Sequence, residues 1–318
     1  MHEIEAIWNL WRESRLQSKR TAIATVVEVK GSAYRRPGAR MLLSENGHSA
    51  GMINGGCLDA DLWAHAHNVM DSGRATVACY DTTSPEDIVF GLGLGCRGVV
   101  KILIEPADNL SWFAVGNTVE VAYEGDQLGT HLSRPSAPRT SGVFVQHLEP
   151  PQRLLLFGAG QDVVPLHSMA RLVGFEVQTF DNRAPSPARK PLLPSSYYPL
   201  EQLEHHLEIT PDTACVIMTH NFLYDLELLK LLLPSPARYV GILGPRRRAI
   251  ELLEKMSAHT LFPPVQLSAA NLEKLHSPIG LDIGAETPDE IALSILAEIQ
   301  KTRRQKQGLS LRDRESIH

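Results

Sequence analysis

Two of the four cysteines stand where cysteine could do chemistry. Cys57 closes the run Asn54-Gly55-Gly56-Cys57, between a stretch that reads as a strand and one that reads as a helix. Free N–H groups at a helix start favour a thiolate. Cys96 lies in the glycine-dense run Gly91-Leu92-Gly93-Leu94-Gly95-Cys96-Arg97-Gly98, where Arg97 places positive charge beside the sulfur. A thiolate is a soft ligand, suited to a soft or redox-active metal centre. Cys57 and Cys96 are therefore the candidate metal ligands, with Gly55, Gly56 and Arg97 around them as candidate cofactor contacts. The plainer reading of a free cysteine is a small buried hydrophobe. That is the expectation for Cys79 and Cys215, which sit among apolar neighbours in predicted strands.

A second group of candidates suits an anion. Gly158-Ala159-Gly160 follows the apolar run from Leu154 to Phe157 and opens a helical stripe of Val163, Leu166, Ala170 and Val173. Glycines there let the backbone approach a pyrophosphate where N–H groups and the helix dipole favour negative charge. Asp181 lies about 20 residues on, where an acidic residue in a Rossmann domain meets a ribose hydroxyl. The fingerprint is imperfect, because Val163 holds the third glycine position and Pro165 falls in the first turns of the helix. Packing alone could also demand such a turn, and Asp181 could be a turn former at a strand end. Thr219-His220-Asn221 follows a later strand, at the sheet edge where ligands collect in open parallel sheets. Capping of the next helix by Thr219 or Asn221 is the alternative. In Gly244-Pro245-Arg246-Arg247-Arg248, Arg246 is nearest the turn and is the candidate for gripping a phosphate.

The elements needed to position these groups can be read along the chain. Ile4, Ile7, Trp8 and Trp11 have helical spacing. Strands are expected at Thr21 to Val29, Ala39 to Leu43, Ser49 to Ile53, Ala75 to Tyr80 and Val99 to Ile104, with a hairpin at Asn46-Gly47 and a helix from Leu58 to Met70. Shorter strands at Val119 to Tyr123 and Val143 to His147 flank a Ser/Pro/Arg-rich stretch, and Pro150-Pro151 marks a boundary. Beyond it, strands at Leu154, Glu176, Ala214 and Tyr239 alternate with helices, which argues for a doubly wound parallel sheet. Thr287-Pro288-Asp289-Glu290 is a capping box for the last helix. The fold expected is α/β: an N-terminal α+β domain (1–108), a small β appendage and linker (109–150), a Rossmann-like doubly wound domain (151–300) and a charged tail (301–318).

Bulk composition narrows the function. The 318 residues are 43 % hydrophobic and 21 % charged, ordinary values for a globular protein. A formal net charge of -5 supplies no global basic field for nucleic acid or an anionic membrane. Charged residues interrupt the first fifteen positions, so no secretory signal is read there, and no run approaches the ~20 apolar residues of a membrane span. The expected setting is the cytoplasm, with reduced thiols and no structural disulfides.

A set of segments then gives a resemblance. They are Gly31-Ser32 with Arg35-Arg36-Pro37-Gly38, Gly55-Gly56-Cys57-Leu58-Asp59, Tyr80-Asp81-Thr82-Thr83, Gly91 to Gly98, Phe157 to Gly160, Thr219-His220-Asn221, Gly241 to Arg248, and Pro278 to Pro288. In this order they resemble the XdhC/CoxI family, accessory factors of xanthine dehydrogenase and related molybdenum hydroxylases. Tyr34, and Asp59 where glutamate is common, are small departures. The resemblance implies binding of molybdenum cofactor (molybdopterin), its protection during sulfuration, and delivery to an apo-hydroxylase. It also implies a homodimer and contact with a cysteine desulfurase. Two other readings stay open: an NAD(P)-dependent oxidoreductase using the Rossmann-like turn, and a docking module that binds no cofactor.

Overall fold

The structure is a computed structural model that describes residues 2–81, 98–133, 141–257 and 261–313. Cys96, Arg97, Thr82, Thr83 and most of the glycine-dense loop lie outside them. The chain forms two compact units that divide after Pro150.

The first unit contains α1 (His2–Leu16), β1 (Thr21–Gly31), β2 (Arg40–Ser44), β3 (Ser49–Gly51), α2 (Asp59–Ser72), β4 (Thr76–Asp81), β5 (Gly98–Pro106), β6 (Thr118–Ala122), β7 (Gly129–Leu132) and β8 (Val143–His147). Five strands form an antiparallel sheet in the order β3-β2-β1-β5-β4. The Asn46-Gly47 turn joins β2 to β3, with Gly47 at a φ of +86° that suits glycine. Because strand side chains alternate, β1 feeds two cores. Ala22, Ala24 and Val26 meet Leu62, Ala66 and Val69 of α2, while Ile23 and Val27 meet Ile7 of α1. Coverage of both faces explains why β1 reads as a continuous apolar run. On the α1 side, Trp8 Nε1 donates to the Phe113 carbonyl at 3.0 Å and Trp11 Nε1 to the Ala107 carbonyl at 2.6 Å. The three-stranded antiparallel sheet β7-β6-β8 brings Val119, Val121 and Phe144 into the same cluster. The strand β7 is not among those expected from the sequence.

The second unit contains β9 (Arg153–Phe157), α3 (Val163–Leu172), β10 (Glu176–Phe180), α4 (Leu200–Leu203), β11 (Thr213–Ile217), α5 (Phe222–Leu232), β12 (Tyr239–Ile242), α6 (Arg246–Glu254), α7 (Ala269–Glu273), β13 (Leu275–His276) and α8 (Pro288–Arg303). Its five strands are all parallel, in the order β10-β9-β11-β12-β13. Leu154 and Leu156 pack against α3 and α8 through Val163, Leu166 and Ile295. Leu155 and Phe157 face α5 and α6 through Leu226, Leu229 and Leu252. The sheet is thus doubly wound. Val173, expected to close the apolar stripe of α3, falls just past the helix and is exposed. The capping box at Thr287 forms as expected, with Thr287 accepting from the Glu290 N–H and Glu290 returning the bond. Among the described residues no helix is long and apolar enough to cross a membrane.

A buried carboxylate ties α8 to the sheet. Glu298 accepts from the Tyr239 hydroxyl at 2.6 Å and the Gly280 N–H at 2.9 Å, and lies 3.3 Å from His276 Nδ1. Burial alone would push this carboxyl up, but the bonds from His276, Tyr239 and Gly280 prevail and hold it at about 2. A carboxyl depressed in the folded state stabilises fully above its unfolded value near 4.5 and loses that contribution as pH falls toward 2. Thermal midpoints measured between pH 6 and pH 2 are expected to fall steeply below about pH 4.5 in the native protein. Glu298→Gln should be less stable at neutral pH and show a flatter acid limb. Parallel curves would assign the acid sensitivity elsewhere.

Candidate functional site

In the first unit, the turn between β3 and α2 is organised by Asn54. Its side chain is buried. Asn54 Oδ1 accepts from the Gly56 N–H at 2.5 Å and the Leu58 N–H at 3.4 Å, with Cys57 Sγ at 3.9 Å. Asn54 Nδ2 donates to Asp59 Oδ1 at 3.1 Å. Gly56 turns at a φ of +102°. The outcome is an exposed Cys57 thiol one residue before Leu58, the N-cap of α2, which offers no side-chain cap. The ring of Tyr34 flanks Gly55, 3.7 Å from where a Cβ would stand. Nearby, Arg35 is gripped by both oxygens of Glu3 at 3.0 and 2.8 Å, and Tyr80 donates to Asp61 at 2.6 Å. Burial, followed by that bond to Asp61, pushes the Tyr80 hydroxyl up.

The other cysteines separate. Cys79 is exposed, against the expectation of burial. Its neighbour Ala78 points into the core, and alternation along β4 turns Cys79 outward. Cys215 lies fully buried in β11, and burial pushes its thiol up to about 12. Among the described residues no group of three or more His, Cys, Asp or Glu side chains is arranged to hold a metal ion.

In the second unit, the candidates gather at the carboxyl ends of the strands. The sheet order places β9 beside β11, with β10 on the outer side of β9, so successive crossovers diverge between β9 and β11. Such a switch point opens a crevice beyond the strand ends. Gly158 follows β9 at this point with a φ of +121°, and a Cβ there would collide with the Met218 carbonyl of the neighbouring loop. Asp162 precedes α3 without capping it. Its carboxylate instead lies 2.8 Å from His220 Nε2, which links the loops after β9 and β11. His220 adopts a φ of +57°, uncommon for a residue with a side chain. Gly160 sits close to Asp162, whose Oδ1 is 2.5 Å from where a Cβ would be.

The flanking residues divide between support and exposure. Asn221 caps α5 by accepting from the Tyr224 N–H at 3.2 Å. Thr219 donates its hydroxyl to Asp225, a buried carboxylate that also takes Arg248 Nη2 at 2.7 Å. Burial pushes the Asp225 carboxyl up, with Arg248 and Thr219 opposing it. Arg246 is exposed on the first turn of α6, so Arg248, two residues on, is the arginine that folds inward. Asp181 directly follows β10 and is clasped by Arg183 and Arg189, at 2.9 and 3.2 Å. Asn54, Asp162, Arg183, Arg189 and Arg248 carry much of this geometry and are not among the candidates that the sequence offers. The visible signals among them are the asparagine before two glycines and the arginine run that holds Arg248.

Two family models match the chain, one described as the XdhC and CoxI family over residues 14–81 and one as the XdhC Rossmann domain over residues 154–299. A Bacillus subtilis protein, named as a probable component of xanthine dehydrogenase, is 32 % identical, covering 89 % of this chain and 93 % of its own length. The Escherichia coli molybdenum cofactor insertion chaperone PaoD is 27 % identical, covering 92 % and 86 %. A crystal structure described as a xanthine dehydrogenase from Bacillus halodurans superposes with a TM-score of 0.75 at 30 % identity, covering 98 % of each chain. With both units matched and a relative above 30 % identity along nearly its whole length, the chain belongs to the XdhC and CoxI family.

Proposed function

We propose that this protein binds the molybdenum cofactor as cargo, holds it for terminal sulfuration and delivers it to a xanthine-dehydrogenase-type apoenzyme. It works in the cytoplasm as a homodimer, with a cysteine desulfurase as the sulfur-supplying partner. The observation that carries this reading is the exposed Cys57 thiol, held out on a preformed Gly-Gly-Cys turn by a buried asparagine. A rigid, accessible thiol suits transient contact with a soft metal centre, and it needs no closed ligand cage. Cys57 and Cys96 are the thiols assigned to the metal, with Gly55, Gly56 and Arg97 as further candidate cofactor contacts. The second unit has its own candidates: Gly158, Gly160 and Arg246 for an anionic group, and Asp181, Thr219, His220 and Asn221 for other polar contacts to a ligand. The name of PaoD, a molybdenum cofactor insertion chaperone, supports a cofactor-handling role.

The test is titration of isolated molybdenum cofactor into the purified apo protein, followed by transfer to an apo-hydroxylase. Saturable binding and a rise in hydroxylase activity that depends on the loaded protein are expected. Failure of the protein alone to bind cofactor, with hydroxylase maturation still stimulated in the presence of a desulfurase, would instead support a docking role.

A further inference from the structure

The end of β10 does not have the chemistry of a ribose site. Where a dinucleotide domain grips an unmodified ribose, the acidic residue there needs free acceptor capacity for the hydroxyls. An ionised carboxylate offers about four acceptor positions. At Asp181 four donors fill them. Oδ1 takes the Arg183 N–H at 3.0 Å and Nε at 2.9 Å; Oδ2 takes Arg183 Nη2 at 3.3 Å and Arg189 Nη2 at 3.2 Å. Burial opposes the charge on Asp181, but hydrogen bonds from the Arg183 side chain and backbone, with the charges of Arg183 and Arg189, keep the carboxyl below its usual range. It therefore stays ionised and paired.

What this corner offers a ligand is a surplus of donors. Two guanidiniums face one carboxylate, and among the described residues no other carboxylate forms an ion pair with either. Among these three side chains one net positive charge remains; the nearby Asp162 carboxylate, at the glycine turn, is met by His220 Nε2 at 2.8 Å. Both arginines are partly exposed, with side-chain accessibilities of 46 % and 33 %. Arg183 also donates through Nη2 to the Ala159 carbonyl at 3.2 Å, which fixes its guanidinium against the glycine turn. Planar forks of this kind match phosphate oxygens.

We propose that the corner formed by Arg183, Arg189 and the Gly158–Gly160 turn is a phosphate-monoester site, which selects a ligand bearing that group over the same ligand with a free hydroxyl. The inference deepens the cofactor-carrier reading and rests on it for one of two sources. The pterin cofactor carries a phosphate, and a nucleotide with a 2′-phosphate presents the same chemistry.

The experiment uses calorimetric titration of the full chain with two matched pairs of probes. One pair is adenosine 2′,5′-bisphosphate and 5′-AMP; the other is 6-hydroxymethylpterin phosphate and 6-hydroxymethylpterin. In at least one pair the extra phosphate is expected to tighten binding tenfold or more, and the pair that shows it names the source. Inorganic phosphate should compete with the favoured probe in the native protein. The double variant Arg183→Gln/Arg189→Gln should lose the preference while keeping a cooperative thermal transition. Should that variant fail to fold, the phosphate competition in the native protein decides. Equal affinities within both pairs, no binding of any probe, or a preference that survives in the folded double variant would overturn the proposal. A protein that loads molybdenum cofactor yet shows no phosphate preference overturns this inference alone. One that prefers the 2′-phosphate but never loads cofactor overturns the carrier reading alone.

Discussion

Cys57→Ser is expected to leave the protein folded and to cut cofactor-dependent reactivation of an apo-hydroxylase by about tenfold or more, the scale on which metal sites respond to altered surroundings. The exchange of sulfur for oxygen hardly alters volume, and the turn is held by Asn54 rather than by the thiol. What disappears is the soft ligand. Cys96→Ser should behave alike. Cys79→Ser, on the exposed side of β4, should change neither folding nor transfer. Cys215→Ser places a hydroxyl in the core of β11 and should cost about 1–3 kcal/mol, with cofactor bound per folded molecule retained. Bound cofactor and hydroxylase activity, measured across the four variants, test the pattern. Wild-type behaviour of both Cys57→Ser and Cys96→Ser would end the thiol-ligand mechanism, even though family membership stands.

Arg248→Met should be among the most damaging substitutions in the second unit. It strands the Asp225 carboxylate, whose side chain is 2 % exposed and which is otherwise supported by the Thr219 hydroxyl. Removing one partner of such a pair costs about 3–5 kcal/mol, because a buried charge is left without compensation. Without the guanidinium, burial pushes the Asp225 carboxyl further up, so the variant's deficit should shrink as pH falls and the group takes a proton. Adding Asp225→Asn should restore part of the loss at neutral pH. Arg246→Ala, on the exposed start of α6, should stay within about 0.5 kcal/mol. Urea midpoints for the four proteins at two pH values check the set; equal losses at positions 246 and 248 would contradict the assignment of the ion pair.

These two arginines also mark where sequence reasoning reaches its limit. Local rules carry the capping box at Thr287, the glycine hairpin at Gly47 and the alternation of strands and helices after Arg153, because each depends on residues a few positions apart. Proximity to a turn favours Arg246, but helix phase decides which arginine returns to the sheet, and that phase is fixed by the burial of Ala249 and Leu252. Apolar neighbours argue for a buried Cys79, although period-two alternation beside a buried Ala78 points to the opposite face. The strand β7, Gly-Thr-His-Leu, has almost no apolar alternation of its own and exists through its pairing with β6. Asp181 is legible by its distance from the glycine turn; Arg183 and Arg189 are not, because they reach it from a loop with no periodicity.

The docking of α1 bears on how the first unit is made during synthesis. Trp8 finds its hydrogen-bond acceptor 105 residues later, at Phe113, and Ile7 shares its cluster with Leu148. The two indole N–H groups of α1 therefore lack these acceptors until 105 and 96 further residues, respectively, have been made. Contacts of such long sequence separation form slowly, since a large loop must close before they are rewarded. In the interval water must meet both indoles, and a nascent-chain binding factor that recognises exposed tryptophan-rich helices should find this segment early and release it once residues 107–113 arrive.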